Sequence, residues 1–376
     1  MAGQALSDPI LVSKPAELAD LAEQLLAEPA VAVDTESNSL YAYQEQVCLV
    51  QFSTPHADYL VDPLTIGDLS PLGDLFASEA VEKVFHAAEY DIICLKRDYR
   101  FHFSNIFDTM IAARTLGYRN VGLGSILMTE FGVELDKRYQ RANWGQRPLP
   151  SDLLAYARLD THYLLPLRAT MKDELVRIGR WELAAEEFNR LCRVKSRPAR
   201  GTDEALWKIN GARDLDSQHI AVLQELCLFR DRIARAKNWP VFKVMGDQVL
   251  VAIAETAPRD LKALERVPEA EWAARRYGEG LLKAVSRGLE SDPPSRPHHP
   301  RPNSDYLNRL DALRAWRKRE GFNLDVDSDV ILPKDLMAEI ARRNPRNPKE
   351  LAQIMEDAPE RMERYGEEIL EAIGRR

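Results

Sequence analysis

No Cys-x-x-Cys pair occurs in this sequence, and its four cysteines, Cys48, Cys94, Cys192 and Cys227, lie far apart. That pattern supports neither a zinc knuckle nor a disulfide framework; reduced, mostly buried thiols are expected, as in a cytoplasmic protein. No apolar run reaches the roughly 18 residues of a membrane span, and the N-terminus lacks a basic segment followed by an apolar one. No membrane partner is therefore expected. Also missing are G-x-x-x-x-G-K-[ST], G-x-S-x-G and H-E-x-x-H, which sets aside P-loop, serine-hydrolase and zinc-protease chemistry. The run "GLGS" at 122–125 has only two glycines and reads as a helix-entry turn, not a phosphate cradle.

Positive charge is scarce overall, with a net charge of −8, but the deficit is local. Residues 1–100 hold 5 Lys and Arg against 17 Asp and Glu, a net −12; the rest hold 46 against 42, a net +4. A polyanion can still bind such a chain, because local patches matter more than the total. The basic stretch "CRVKSRPAR" at 192–200 reads as a solvated linker.

What is present is 376 residues with 45% apolar content, enough for two or three domains. Residues 13–29 form an amphipathic helical pattern. Apolar stretches at 31–34, 47–53 and 58–62, separated by turn residues, predict a strand meander. A strand at 82–85 runs into a helix from Ala87 to Asp98, and a helix N-capped by Asp108 stops at Gly117. Residues 151–175 predict one long helix. Strands first, then strand–helix alternation, indicate an α/β domain with a mixed sheet over 1–195. Residues 196–212 are a polar linker. Everything beyond is helical in period and repeats: "RRYGEGLLKAV" at 275–285 returns as "ERYGEEILEAI" at 363–373. Two small all-α domains are expected, 213–290 and 305–376, joined by a Pro-rich linker at 291–304 whose His298 and His299 have no ligand partners at useful spacing. In the first, Arg230, Arg232, Arg235, Lys237 and Lys243 are candidate phosphate contacts. Trp239 and Phe242, interleaved with them, are expected in the core.

The stretch "VAVDTES" poses the chemical question. Asp34 and Glu36 leave one face of a strand, roughly 6–7 Å apart along the chain. Two like charges that close need a cation between them or exposure at a strand end. A divalent metal, a nearby Arg or Lys, or solvent would each serve. Asp91 lies in the first turns of a helix after a strand, with His86 at the strand exit. Tyr156 and Asp160 stand four apart on a helix and share a face. Together these are four carboxyls and a tyrosine in the order Asp-x-Glu, Asp, Tyr-x3-Asp. Carboxylates suit hard Mg²⁺ or Mn²⁺, and four of them can hold two ions in the geometry of phosphodiester hydrolysis.

"VAVDTES", "KVFHAAEYD" and "YARLD" resemble the three motifs of the ribonuclease D family of DEDD-type 3′→5′ exonucleases, and Tyr156 marks the tyrosine subclass. "CLVQFS", "FDTMIAAR" and "LDKRYQRANWGQRPL" extend the likeness, and the repeats resemble two helicase-and-RNase-D C-terminal (HRDC) domains. The resemblance implies a ribonuclease H-like (DnaQ-like) exonuclease domain and two divalent metal ions, Mg²⁺ or Mn²⁺, held by Asp34, Glu36, Asp91 and Asp160. Asp34 would bridge both ions, and Tyr156 would orient the attacking water. His86 would sit near the scissile phosphate, with Asn38, Leu40 and Tyr41 at the terminal nucleotide and Arg235, Lys237 and Lys243 on RNA. The implied activity is removal of nucleotides from RNA 3′ ends as 5′-monophosphates, on tRNA precursors, by a monomer in the cytoplasm. The competing expectations are a 3′→5′ DNA exonuclease and an inactive nucleic-acid-binding protein on the same fold.

Overall fold

The computed structural model describes residues 7–196, 205–296 and 303–374. Residues 7–37, 47–196 and 303–374 form one compact unit; 38–46 and 205–296 form the other. His298 and His299 lie outside the described residues.

In the first unit six strands form one mixed sheet in the order β1-β4-β3-β2-β5-β6. They are β1 (Ile10–Val12), β2 (Ala30–Ser37), β3 (Val47–Ser53), β4 (Asp58–Val61), β5 (Glu82–Phe85) and β6 (Ile106–Asp108). β2, β3 and β4 make the expected antiparallel meander, whereas β1 joins β4, and β5 and β6 extend from β2, all in parallel. Beside the short helical turns Pro63–Ile66 and Gly73–Ala77, the helices of this domain are α1 (Pro15–Leu26), α2 (Glu89–Tyr99), α3 (Thr109–Leu116), α4 (Leu123–Phe131), α5 (Ser151–Ala157), α6 (Leu159–His162), α7 (Leu164–Arg177) and α8 (Trp181–Cys192).

Alternation along β2 sorts its side chains. Val31 and Val33 pack with Leu18, Leu21 and Leu25 of α1 on one face. Ala32 packs with Leu164, Leu167 and Phe188 of α7 and α8 on the other. Asp34 and Glu36, in step with Ala32, are thus turned to the face that carries α7 and α8. The single long helix expected at 151–175 is instead three, α5, α6 and α7. The break at Tyr163 follows from Pro166, which has no N–H to offer and whose ring crowds the preceding turn.

Two all-α domains follow the sequence repeat, each with five corresponding helices among the described residues. The first holds α9 (Ser217–Lys237), α10 (Val241–Val244), α11 (Asp247–Thr256), α12 (Leu261–Glu265) and α13 (Glu271–Glu290). The second holds α14 (Ser304–Leu324), α15 (Ser328–Ile331), α16 (Lys334–Arg343), α17 (Pro348–Ile354) and α18 (Pro359–Ala372). α9 and α14 are each 21 residues long and end on a left-handed residue, Asn238 and Asp325. Each carries a buried arginine that donates to a carbonyl beyond the next short helix, Arg230 to Met245 at 2.9 Å and Arg317 to Leu332 at 2.7 Å. Arg230, expected on phosphate, is thus a buried structural residue that also pairs with Asp247. Leu206, Ile209 and Ala212, inside the stretch expected to be linker, are buried in the first repeat's core.

The second repeat packs against α8 through charge. Arg361 is 1% exposed and pairs with Glu186, itself 5% exposed, and with Glu187 at 2.9 Å. Arg190 reaches Asp335 at 2.6 Å and Asp357 at 2.9 Å.

Candidate active site

β2 delivers Asp34 and Glu36, and α6 delivers Asp160 to the same face. One carboxylate oxygen from each lies within 4.8 Å of the others. Asp91, on the first turn of α2, accepts a hydrogen bond from the Thr35 hydroxyl on the far face of β2. Asp91 stays close enough for its charge to act on Asp34, Glu36 and Asp160. All four carboxyls are shifted upward, first by burial; charges within the cluster add to this for Asp34, Glu36 and Asp160, whereas for Asp91 the Thr35 hydrogen bond pulls the other way and the added upward push comes from Asp108. Asp34 and Glu36 are held well above the usual carboxylate range. Asp91 and Asp160 are each pushed up to about 7. Among the described residues no cation neutralises this cluster.

Carrying the β2–β5 register forward from Ala32 opposite Val84 brings His86 level with Asp34. The chain then turns sharply through Ala87, a non-glycine residue at φ 62°. Asp108 holds that turn. Its carboxylate accepts from the backbone of Ala87 (3.2 Å) and Ala88 (2.7 Å) as well as from Met110 (2.8 Å) and Ile111 (3.1 Å). The sequence identified Asp108 as the cap of α3, and the cap proves to fix the entry to α2, hence Asp91, at the same time. Burial depresses the His86 imidazole, which shares a 2.9 Å hydrogen bond with Thr109.

Asp34, Asp160, His86 and Tyr156 line one cleft of about 1380 Å³. Its other wall is the Gly122–Ser125 entry to α4, with Met128, Asp136 and Gln140. "GLGS" is a helix-entry turn, as expected, and it also faces the carboxylates, which its composition did not reveal. Tyr156 packs on Tyr139 and Trp144, with ring centroids at 5.5 and 6.4 Å. Burial, then Asp160, Glu36 and Asp34, push its phenol far above its ordinary range, so it stays protonated.

Gln51 was not singled out from sequence. It lies directly opposite Asp34 in the β2–β3 ladder and is fully buried, and neither end of its amide has a hydrogen-bond partner among the described residues. The available signal was one long polar residue inside the apolar run "VCLVQFS". Asn38, Leu40 and Tyr41 belong to the other unit. There Asn38 closes the 38–46 loop by accepting from Gln46 N–H at 2.9 Å, and Leu40 is exposed. Tyr41 lies beneath Lys243, 4.0 Å from ring centroid to ammonium.

An all-oxygen donor set, converging like charges without a counter-cation and an orphaned amide beside them fit a hard divalent ion. Comparisons with known proteins agree with this chemistry. The family described as 3′–5′ exonuclease matches residues 9–176, and the HRDC domain matches 219–285 and 307–373. A ribonuclease D from Nitrobacter hamburgensis is 31% identical over 88% of this chain and 88% of its own. An exosome complex component 10 homolog from Caenorhabditis elegans is 33% identical over 65% of this chain, but the match spans only 28% of that longer protein. The crystal structure of Escherichia coli RNase D, described as an exoribonuclease involved in structured RNA processing, shares the fold with a TM-score of 0.70. That match covers 94% of this chain and 100% of the other at 24% identity. The buried carboxylates on β2 and α6, the fold that carries them and these relatives converge on one assignment: the chain belongs to the ribonuclease D family and is a 3′→5′ exoribonuclease.

Proposed function

We propose that the chain trims RNA 3′ ends, tRNA precursors among them, by two-metal hydrolysis that releases 5′-monophosphates, acting as a monomer in the cytoplasm. The observation that carries this reading is the convergence of Asp34, Glu36 and Asp160 within 4.8 Å on one buried face. These three, with Asp91 beside them, would hold two divalent ions, Mg²⁺ or Mn²⁺. Such ions, when bound, lower the pKa of a water and stabilise the leaving 3′-oxygen.

The chain's own residues divide the remaining work. Tyr156 keeps its proton, so it cannot act as a base near neutral pH; its hydroxyl orients the attacking water by hydrogen bonding. His86 stays neutral and offers a hydrogen-bonding ring to the substrate phosphate. Asp108 acts at one remove, by fixing the backbone between His86 and Asp91. The first repeat's Lys237 and Lys243 are assigned to RNA, as are Leu40 and Tyr41 in the same unit.

The test is a 5′-labelled RNA incubated with Mg²⁺ or Mn²⁺. The wild-type protein should yield a ladder of products shortened from the 3′ end, and Asp34→Ala should yield none while keeping its fold. An Asp34→Ala protein that degrades RNA at near wild-type rate refutes the mechanism.

A further inference from the structure

Trp239 and Phe242, expected in a core, are 37% and 54% exposed. Around them the cations of the first repeat stand on rings. Lys237 lies 4.8 Å from the Trp239 centroid and 6.0 Å from that of Tyr277. Arg276 lies 5.8 and 5.4 Å from the same two. Lys243 lies on Tyr41. None of these three cations has a carboxylate within ion-pair distance among the described residues. Nearby Arg235, by contrast, is drawn to Asp231 and to the Tyr43 hydroxyl, which itself donates to Asp231 at 2.6 Å. Arg235 therefore serves first to anchor the 38–46 loop and is a weaker candidate for phosphate than the sequence implied.

The second repeat shows what this face does when it is occupied. Lys237, Asn238, Pro240 and Phe242 correspond in the repeat to Leu324, Asp325, Asp327 and Asp329, and Arg276 corresponds to Arg364. In the second repeat every one of these positions meets the nuclease domain. Arg180 donates to the Leu324 carbonyl at 2.7 Å. Arg114 pairs with Asp329 and, at 3.6 Å, with Asp327. Arg364 donates to the Gly179 carbonyl at 3.0 Å. The Asp325 carbonyl comes so close to Gly117, at φ 89°, that a Cβ there would sit 2.4 Å from it. One copy of the face is acidic and docked on protein. The other has lost those aspartates and carries unneutralised cations over the exposed ring of Trp239 and the half-buried rings of Tyr277 and Tyr41.

We propose that this face of the first repeat, built from Lys237, Trp239, Phe242, Lys243, Arg276 and Tyr277, is a platform for single-stranded RNA, and that the second repeat has no such site because its equivalent face is taken. The inference rests on the family assignment only for the substrate being RNA. Phosphates meet the cations. Bases stack on the rings, a mode that tolerates any sequence and requires unpaired strands.

The test uses the full-length chain. Affinity for a fluorescent 20-nucleotide RNA is measured in EDTA across a salt series, and turnover of a tetranucleotide, short enough for the catalytic cleft alone, is measured with Mn²⁺. Trp239→Ala should weaken 20-mer binding by roughly 5- to 150-fold, the range for losing one base stack, and Trp239→Phe should restore most of it. Lys237→Gln with Arg276→Gln should lower the slope of log affinity against log salt by about 1.4, about 0.7 per phosphate on a single strand. Arg364→Gln, on the docked repeat, should leave that slope where it was. Tetranucleotide turnover should hold in Arg364→Gln, which lies outside the platform. Unchanged 20-mer affinity and slope in the Trp239 and Lys237/Arg276 variants would overturn the proposal and leave the face to a protein partner. A Trp239→Phe protein as weak as Trp239→Ala would overturn stacking, and an Arg364→Gln loss equal to the Arg276 loss would overturn the asymmetry. A wild-type chain unable to turn over the tetranucleotide would instead count against the exonuclease reading.

Discussion

Replacing Asp160 by Asn should make the metal-free protein more stable. In the folded chain this carboxyl is pushed from 3.8 to about 7, first by burial and then by the charge of Asp91. Three pH units at about 1.4 kcal/mol each make it cost on the order of 4 kcal/mol to keep Asp160 ionised in the folded state. The carboxylates share that cost, because the first to take a proton relieves the others, so the gain from Asn is a fraction, about 1–3 kcal/mol. For a domain of this size that is a rise of roughly 2–10 °C in Tm. The sign follows from linkage: the folded-state pKa lies above the unfolded one, so stability is intact below about pH 4 and is lost as pH rises through about 7. The advantage of Asp160→Asn should therefore be largest at pH 8 and shrink towards pH 5. Excess Mn²⁺ should reverse it, since only the wild type keeps the full ligand set and gains binding energy. Thermal melts followed by far-UV circular dichroism at pH 5 and pH 8, in EDTA and in Mn²⁺, check all three statements. A variant no more stable than wild type in EDTA at pH 8, or one whose gain is equal at pH 5, would refute the reasoning.

Three further outcomes are expected. Tyr156→Phe should slow single-turnover cleavage by roughly 10²- to 10⁴-fold with little change in RNA affinity, and a loss confined to affinity would make it a binding residue. Arg361→Ala should cost about 3–5 kcal/mol in chemical denaturation, because it strands a buried Glu186, while the paired Arg361→Met/Glu186→Leu change should cost much less; equal losses would show that packing, not charge, holds the second repeat. Asp108→Ala should lower the unfolding free energy in chemical denaturation by more than the roughly 0.5–2 kcal/mol of one lost helix cap, since it releases four backbone donors, and a loss within that range would confine Asp108 to capping α3.

The sequence carried the site well because its determinants are local. The limits of β3 and β5, the cap at Asp108 and the carboxylates of "VAVDTES" and "YARLD" are all written within a few residues. What it hid depends on distant partners. β1 is three residues long and exists by pairing with β4, which comes after two intervening strands. The 38–46 loop leaves the nuclease fold because Tyr43 bonds Asp231, 188 residues on. Arg230 and Trp239 were exchanged in expectation, the cation taken as exposed and the ring as buried. The Met245 carbonyl and the Asp247 carboxylate answer the charge of Arg230, whereas the ring of Trp239 is left partly exposed beside Lys237 and Arg276.

The Arg361–Glu186 pair also has a consequence in time. The two residues are 175 positions apart, and Glu186 leaves the ribosome first. At 5–20 residues per second, roughly 10–35 s pass before its partner is made. Throughout that interval α8 holds a carboxylate with only water to answer it. The α8 side of the nuclease unit is therefore completed only after the second repeat has been translated. A degradative enzyme born among ribosomal and messenger RNA thus finishes assembling well after its own catalytic carboxylates have emerged.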